Sequence, residues 1–456
     1  MQPPRRLDDA ARAQEGDVNQ SARRRRYQSE HADRRAVALL EADAELFLHQ
    51  SLSTPCLDAV TGADGIYLHT AGGRRLMDFH GNSAHQVGYG NPRVVAAIRE
   101  QLAELPFCPR RFTNRYAVEL ARKLTSLAPL RKVLFAPSGA VAVGIAMKLA
   151  RLATGRHKTL SMWGAFHGAS LEAASVGGEP LFRDGLAPLL PGAGHVHPPF
   201  PYRCTYGCGG ACDMRCAAGV ESSLAADPEI GAVIAEPVRC TVVAPPPPDY
   251  WRRVREACDR HGALLVFDEI PTCLGRTGRM FASEAVGEAP DILVMGKGLG
   301  GGIVPMAAVL ARTDLDVAAD RAIGHYTHEK SPLGCAAALA TIECIEADGL
   351  LAHARELGAF AVARLNEMKQ RHRLLGDVRG IGLLIGVELV RDRATKEPAT
   401  DEAEAVMYEC MNRGLSFKVS GGNVLTLTPP LVITRGQMEE AMGIVEAAIG
   451  MVEDRQ

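Results

Sequence analysis

Short, wholly or nearly wholly apolar runs recur through the middle of the chain at Lys132–Ala136, Ile230–Ala235, Ala263–Phe267, Ile292–Met295 and Met306–Ala311. Between them lie longer stretches in which apolar positions return at helical spacing. Strands that are apolar on both faces, alternating with helical segments, predict a mostly parallel sheet covered by helices on each side. The first run is followed by a Ser-Gly turn and a helix through Arg151, and Pro245–Pro248 breaks regular structure before a helix near Tyr250. Upstream, Gly65–Asp78 reads as strand, turn and strand, with Ala71–Gly73 at the turn. Beyond Pro332 the pattern becomes helical, then mixed from Gly376, with a strand at Gly382–Leu389 and a last helix from Arg435. The expectation is an α/β fold with a large domain over 91–335 and a smaller α/β domain assembled from 46–90 and 336–456. Residues 1–45 are expected to be a flexible segment. No internal repeat is visible.

Composition narrows the function classes. The chain has 456 residues, 47% hydrophobic and 23% charged, with a formal net charge of -2. A near-neutral chain sets up no broad field for nucleic acid or an anionic membrane. The run Arg23–Arg26 carries little apolar or aromatic character beside it and reads as a solvated tail or frayed helix rather than a binding arm. No apolar stretch reaches bilayer length and no signal-peptide pattern opens the chain, so a cytoplasmic location is expected. Most of the twelve cysteines are scattered singly through apolar stretches. Cys204, Cys208, Cys212 and Cys216 instead recur at every fourth residue. Four thiols so close suit tetrahedral zinc, but the spacing is not the CxxC of common structural sites. A metal site and a group of free surface thiols both remain open, so the metal is unknown.

In open α/β sheets function gathers at the carboxyl ends of strands, which is where Glu236, Asp268 and Lys297 fall. A carboxylate and an amine on neighbouring strand ends suit pyridoxal 5'-phosphate (PLP): the amine forms a Schiff base and the carboxylate keeps the pyridine nitrogen protonated. Alone, the pair also reads as a structural ion pair. Ser138, at the start of the helix in FAPSGAVAVGIAMKLAR, reads equally as a helix N-cap and as part of a phosphate-binding turn. The chain contains no GxxxxGK[ST] loop.

The segments LMDFHGNSAHQVGYGNP, SGAVAVGIAMKLAR, AFHG, VIAEPV, VFDEIPTCLGRTGRMFASE, PDILVMGKGLGGG, SPLGCAAALAT and VRGIGLLIGVEL follow in this order. On them, from about Gly65 to the end, the chain resembles the class III aminotransferases. The resemblance implies the fold type I architecture of PLP-dependent transferases, and a homodimer whose active sites lie at the subunit interface. It implies Lys297 as the Schiff-base lysine and Asp268 as the pyridinium partner. It further implies Phe166 and Ile270 on the two faces of the ring, Ser138, Gly139 and Ala140 as the phosphate turn, and Thr327 reaching the phosphate of the neighbouring subunit. Arg379 matches an arginine that binds a substrate anion in some members.

Several positions depart from the family pattern. Pro271 stands where most members carry Gln, Val141 where Glu is usual, and Arg239 where a small polar residue follows EPV. In GHYTHEKSPLGCAAALAT, His328, Glu329 and Lys330 replace an aromatic and two small residues. Together with FHGASLEAASVGGEPLFR and GLSFKVSGGNVLTLTPPL, this loop resembles a narrower group, ammonia-lyases of the hydroxylated aminophosphonate (R)-1-hydroxy-2-aminoethylphosphonate. A phosphonate dianion needs cationic donors, for which Arg239, Lys330 and Arg379 are candidates, and His328 is a candidate acid for the leaving hydroxyl. The other expectations are an ω-amine transaminase using pyruvate or 2-oxoglutarate, and a non-catalytic regulator on the same scaffold. The presence of both Lys297 and Asp268 argues against the last. The partners expected are a small amine and a second copy of the chain, with no nucleic acid and no membrane.

Overall fold

A computed structural model describes residues 21–208 and 212–455. The chain forms two compact units, one of Pro92–Cys240 and Ala244–Ala352, the other of Thr241–Val243, His353–Gln456 and the described part of Arg6–Asn91.

The first unit is built on a seven-stranded sheet. Its strands are β1 (Lys132–Ala136), β2 (Lys158–Met162), β3 (Ala193–Val196), β4 (Ile230–Ala235), β5 (Leu264–Asp268), β6 (Ile292–Met295) and β7 (Ala307–Ala311). They lie in the order β1-β7-β6-β5-β4-β2-β3. β7 runs antiparallel to both neighbours, β1 and β6, and the remaining pairs are parallel. β4, β5, β6 and β7 are buried at every position, which is why their sequences are continuous apolar runs rather than alternating ones. The helix Gly139–Thr154 returns across this sheet with eight buried residues. Gly155 ends it in a left-handed conformation, its N–H on the Arg151 carbonyl at 2.9 Å.

The second unit carries a sheet of Val60–Asp64, Tyr67–Thr70, Arg75–Asp78 and Leu415–Ser416, and another built on Leu375–Ile381, Leu384–Asp392, Lys418–Ser420 and Val424–Leu427. The predicted hairpin is the antiparallel pair Tyr67–Thr70 and Arg75–Asp78. The strand Val60–Asp64 beside it is exposed throughout, so no apolar alternation announced it.

Two expectations change. Ala22–His31 and Arg34–Leu46 are helices, capped by the side chains of Ser21 and Asp33, whereas a flexible segment was expected up to residue 45. The arginine run is anchored by contacts outside its own segment. Arg24 is buried and donates to the Pro55 carbonyl at 2.9 Å. Tyr27 is buried against Tyr408, and its hydroxyl accepts from Arg74 at 2.7 Å. Residues 1–20 lie outside the described residues. Second, Pro332–Ala347, assigned from the sequence largely to the small domain, packs in the first unit against Pro92–Glu104 and Arg115–Leu127. Eleven of its residues are buried, so it needs neighbours on nearly every side.

Candidate active site

A cavity of about 300 Å³ opens at the carboxyl ends of β1, β5 and β6. Asp268, the last residue of β5, is 1% exposed. Its Oδ1 accepts from the Ile270 N–H at 3.0 Å, and its Oδ2 lies 2.7 Å from His167 Nδ1. A carboxylate only accepts, so Nδ1 carries a proton, and Nε2 faces Ser161 Oγ at 3.4 Å. His167 is itself 1% exposed. Nothing in the sequence reading singled it out. The signal was its place beside Phe166 in AFHG, but the spacing of 101 residues to Asp268 hides the contact until β2 and β5 are in one sheet.

Lys297 follows β6 and lines the same cavity. Its φ is 46°, a left-handed conformation costly for a residue with a side chain and found where function over-determines the backbone. Glycines at 296, 298, 300, 301 and 302 surround it. Gly301 and Gly302 have φ of 68° and 72°, and a Cβ on Gly301 would stand 2.7 Å from Val94.

The opposite end of the cavity is the start of the helix Gly139–Thr154. Ser138 is the N-cap, its Oγ accepting from the Val141 N–H at 3.4 Å. The N–H groups of Gly139 and Ala140 precede the first intrahelical bond and are oriented for an anion. A Cβ on Gly139 would stand 2.7 Å from Ile270 Cδ1, so glycine is what lets the turn approach that side chain. Phe166, Ile270, Pro271 and Met306 supply apolar walls. One end thus offers a buried carboxylate, the middle an amine between apolar faces, and the far end a helix N-terminus. That donor set fits a planar, cationic ring carrying a phosphate: Asp268 for the ring nitrogen, Phe166 and Ile270 for its faces, Ser138 to Ala140 for the phosphate, and Lys297 for the aldehyde carbon.

Glu269 holds this wall in place. It is fully buried, with Oε1 accepting from the Ser283 N–H at 2.8 Å and Oε2 from the Ala282 N–H, so it ties both ends of the loop that carries Ile270 and Pro271. Burial pushes its carboxyl up to about 7 against those two donors. Glu269→Gln turns an amide N–H₂ toward one backbone N–H and is expected to cost about 1–3 kcal/mol, read by chemical denaturation. Because the folded value lies above the ordinary 4.5, the wild-type stabilisation is lost as pH rises through about 7. The gap between wild type and variant should therefore narrow from pH 5 to 8. A gap that widens with pH contradicts this arrangement.

The remaining sequence candidates do not line the cavity. Thr327 and His328 are exposed on a turn, where the His328 ring meets Phe107 edge-on at 5.2 Å. Lys330 adopts φ 55°, and its carbonyl accepts from Asn114 Nδ2 at 2.9 Å. Arg239 donates to the Gly164 carbonyl. Arg379 belongs to the second unit, where it pairs with Asp377 at 2.8 Å and Glu388 at 2.7 Å and donates to the Val242 and Val243 carbonyls. Glu236 is buried beyond the end of β4. It accepts from the Cys240 N–H at 2.9 Å, and burial raises its carboxyl. Among the described residues, no three His, Cys, Asp or Glu side chains are placed to hold a metal ion, and no helix is long and apolar enough to cross a membrane.

Residues 49–449 match the family model for aminotransferase class-III. The (R)-1-hydroxy-2-aminoethylphosphonate ammonia-lyase of Vibrio splendidus (strain 12B01) is 48% identical, across 96% of this chain and 95% of that protein. The leucine/methionine racemase of Thermococcus litoralis is 39% identical, across 84% and 88%. Among solved structures, a PLP-bound amine transaminase from an uncultivated Pseudomonas species is 32% identical, with a TM-score of 0.84 over 89% of this chain and 98% of that one. The ω-transaminase of Pseudomonas jessenii in complex with PMP is 28% identical, with a TM-score of 0.87 over 91% and 98%.

Proposed function

The chain belongs to the class III aminotransferase family of PLP-dependent enzymes, and from that position we propose that it is an ammonia-lyase converting (R)-1-hydroxy-2-aminoethylphosphonate to phosphonoacetaldehyde and ammonia, a step of phosphonate degradation. The observation that carries this reading is the 48% identity to the Vibrio enzyme over nearly the whole of both chains. The His328-Glu329-Lys330 loop supports it from the chain's own chemistry.

Bound PLP draws electrons from the carbon bearing the substrate amine and so makes its C–H acidic. Asp268, fixed by His167 and the Ile270 N–H, sustains that pull by holding a negative charge at the ring-nitrogen end of the cavity. Lys297 Nζ removes the proton from the amine-bearing carbon. Hydroxide then leaves the neighbouring carbon with a proton from an acid, a role we assign to the His328 imidazole. The enamine so released tautomerises, and water hydrolyses it to aldehyde and ammonia, so the water lost in elimination is regained and no second substrate is consumed. Arg239 and Lys330 are the cations we assign to the phosphonate. Arg379 is left out because Asp377 and Glu388 already neutralise it.

A homodimer with shared active sites is part of the reading. Thr327 and His328 are exposed in the single chain, and Phe107 and Phe112, in the same unit, are 39% and 62% exposed, as residues that meet a partner would be. We place the enzyme in the cytoplasm.

The solved structures cited above include transaminases, so the test sets the two reactions against each other. The enzyme is incubated with (R)-1-hydroxy-2-aminoethylphosphonate alone, and separately with 2-aminoethylphosphonate plus pyruvate. Ammonia from the first and little alanine from the second are expected. Rapid alanine formation with no ammonia from the hydroxylated compound would mean a transaminase.

A further inference from the structure

The four clustered cysteines play no part in the chemistry above, and the structure separates them. Cys216 is buried at the start of the helix Arg215–Ala226, and burial pushes its thiol up to about 11. Cys212 is exposed, 4.0 Å from Met214 Sδ. Cys204 and Cys208 are both half-exposed, and their sulfurs lie 3.4 Å apart.

The turn between them brings this about. The Gly207 N–H donates to the Cys204 carbonyl at 3.0 Å, and Gly207 takes φ 66°, a conformation that glycine adopts without strain. The chain reverses there and sets Cys208 beside Cys204. The two sulfurs then face different surroundings. Partial burial raises the Cys204 thiol, but hydrogen bonds from the backbone N–H groups of Cys208, Tyr206 and Gly207 oppose it, and the net direction is down. Cys208 lies 3.0 Å from Asp213 Oδ1 and donates its S–H there. Asp213 also pairs with Arg215 at 2.7 Å.

We propose that Cys204 and Cys208 form a redox-active dithiol, a modification site at which Cys204 attacks a small-molecule disulfide and Cys208 resolves the adduct into an internal disulfide. In the first step a bond forms from Cys204 Sγ to one sulfur of the oxidant, whose S–S bond breaks and releases one thiolate. In the second, Cys208 gives up its proton beside Asp213, its sulfur attacks Cys204 Sγ, and the second thiolate leaves. The two cysteine protons pass to the two leaving thiolates. Two cysteine thiols are oxidised to one disulfide, and one small disulfide is reduced to two thiols. The site lies apart from the cavity: none of its residues lines it.

The flanking Arg203 and Arg215 make this directly testable, because trypsin releases Cys204–Arg215 as one peptide holding Cys204, Cys208 and Cys212. The holoenzyme is incubated with oxidised glutathione, trapped with N-ethylmaleimide, digested without reductant and read by mass spectrometry. The expected peptide has lost two hydrogens and carries one alkyl group, on Cys212. Cys208→Ser should instead accumulate glutathione on Cys204, at least ~10-fold faster than Cys212 is modified, since the thiolate is the nucleophile. Cys204→Ser should give neither product. A disulfide that includes Cys212, alkylation of all three cysteines, or adducts that favour Cys208 or Cys212 overturns the proposal. The cofactor absorbance of each variant checks that it is folded.

Discussion

Lys297→Ala is expected to abolish turnover while leaving cofactor binding partly intact. In the proposed mechanism Lys297 supplies the amine that anchors the cofactor and moves the proton, whereas Ser138 to Ala140, Phe166, Ile270 and Asp268 line the same cavity. The variant should lose the absorbance of the lysine-linked cofactor and still retain PLP through dialysis better than a variant altered at the Ser138 turn. In the wild type, borohydride should fix the label on the peptide containing Lys297. A label on another lysine, or measurable turnover by the alanine variant, would remove Lys297 from its place in the account.

The second large effect is expected at Asp268. Asp268→Asn keeps the side-chain volume but removes a negative charge that is 1% exposed and sits 2.7 Å from His167 Nδ1. The amide also turns an N–H₂ toward either the imidazole N–H or the Ile270 N–H, each of which now meets a carboxylate oxygen. The rate should fall at least ~10²-fold, the scale on which oriented electrostatic groups act in water-excluded sites. His167→Phe should show a milder version of the same spectral and kinetic change, because it leaves the charge and loosens its position. A rate near wild type in Asp268→Asn would show that the carboxylate does not serve the ring nitrogen.

How much was legible beforehand follows from where each feature gets its stability. The strands ending at Asp268 and Lys297 were readable because a strand buried on both faces must be apolar along its whole length, and the break to a charged residue marks the strand end. The Ser138 helix was readable from its Ser-Gly turn and cap and from the return of apolar positions at helical spacing. His167 was not, since its role depends on a bond to a residue 101 positions away. The N-terminal helices were legible only as a tail or frayed helix because Arg24 and Tyr27 are held by Pro55, Arg74 and Tyr408, and a local reading of an arginine run sees only charge. The placement of Pro332–Ala347 failed for a related reason: an all-round apolar helix signals burial without saying in which unit. For Arg379 the residue type pointed to an anion, and the structure supplies two carboxylates from its own unit.

The central claim is that the reaction returns the enzyme to its starting state without an amino-group acceptor. It is tested most directly by counting ammonia released per active site from (R)-1-hydroxy-2-aminoethylphosphonate with every keto acid excluded. The account predicts many equivalents of ammonia, matched one to one by phosphonoacetaldehyde, at a steady rate. A single equivalent of aldehyde, no free ammonia, and recovery only on adding pyruvate or 2-oxoglutarate would contradict it.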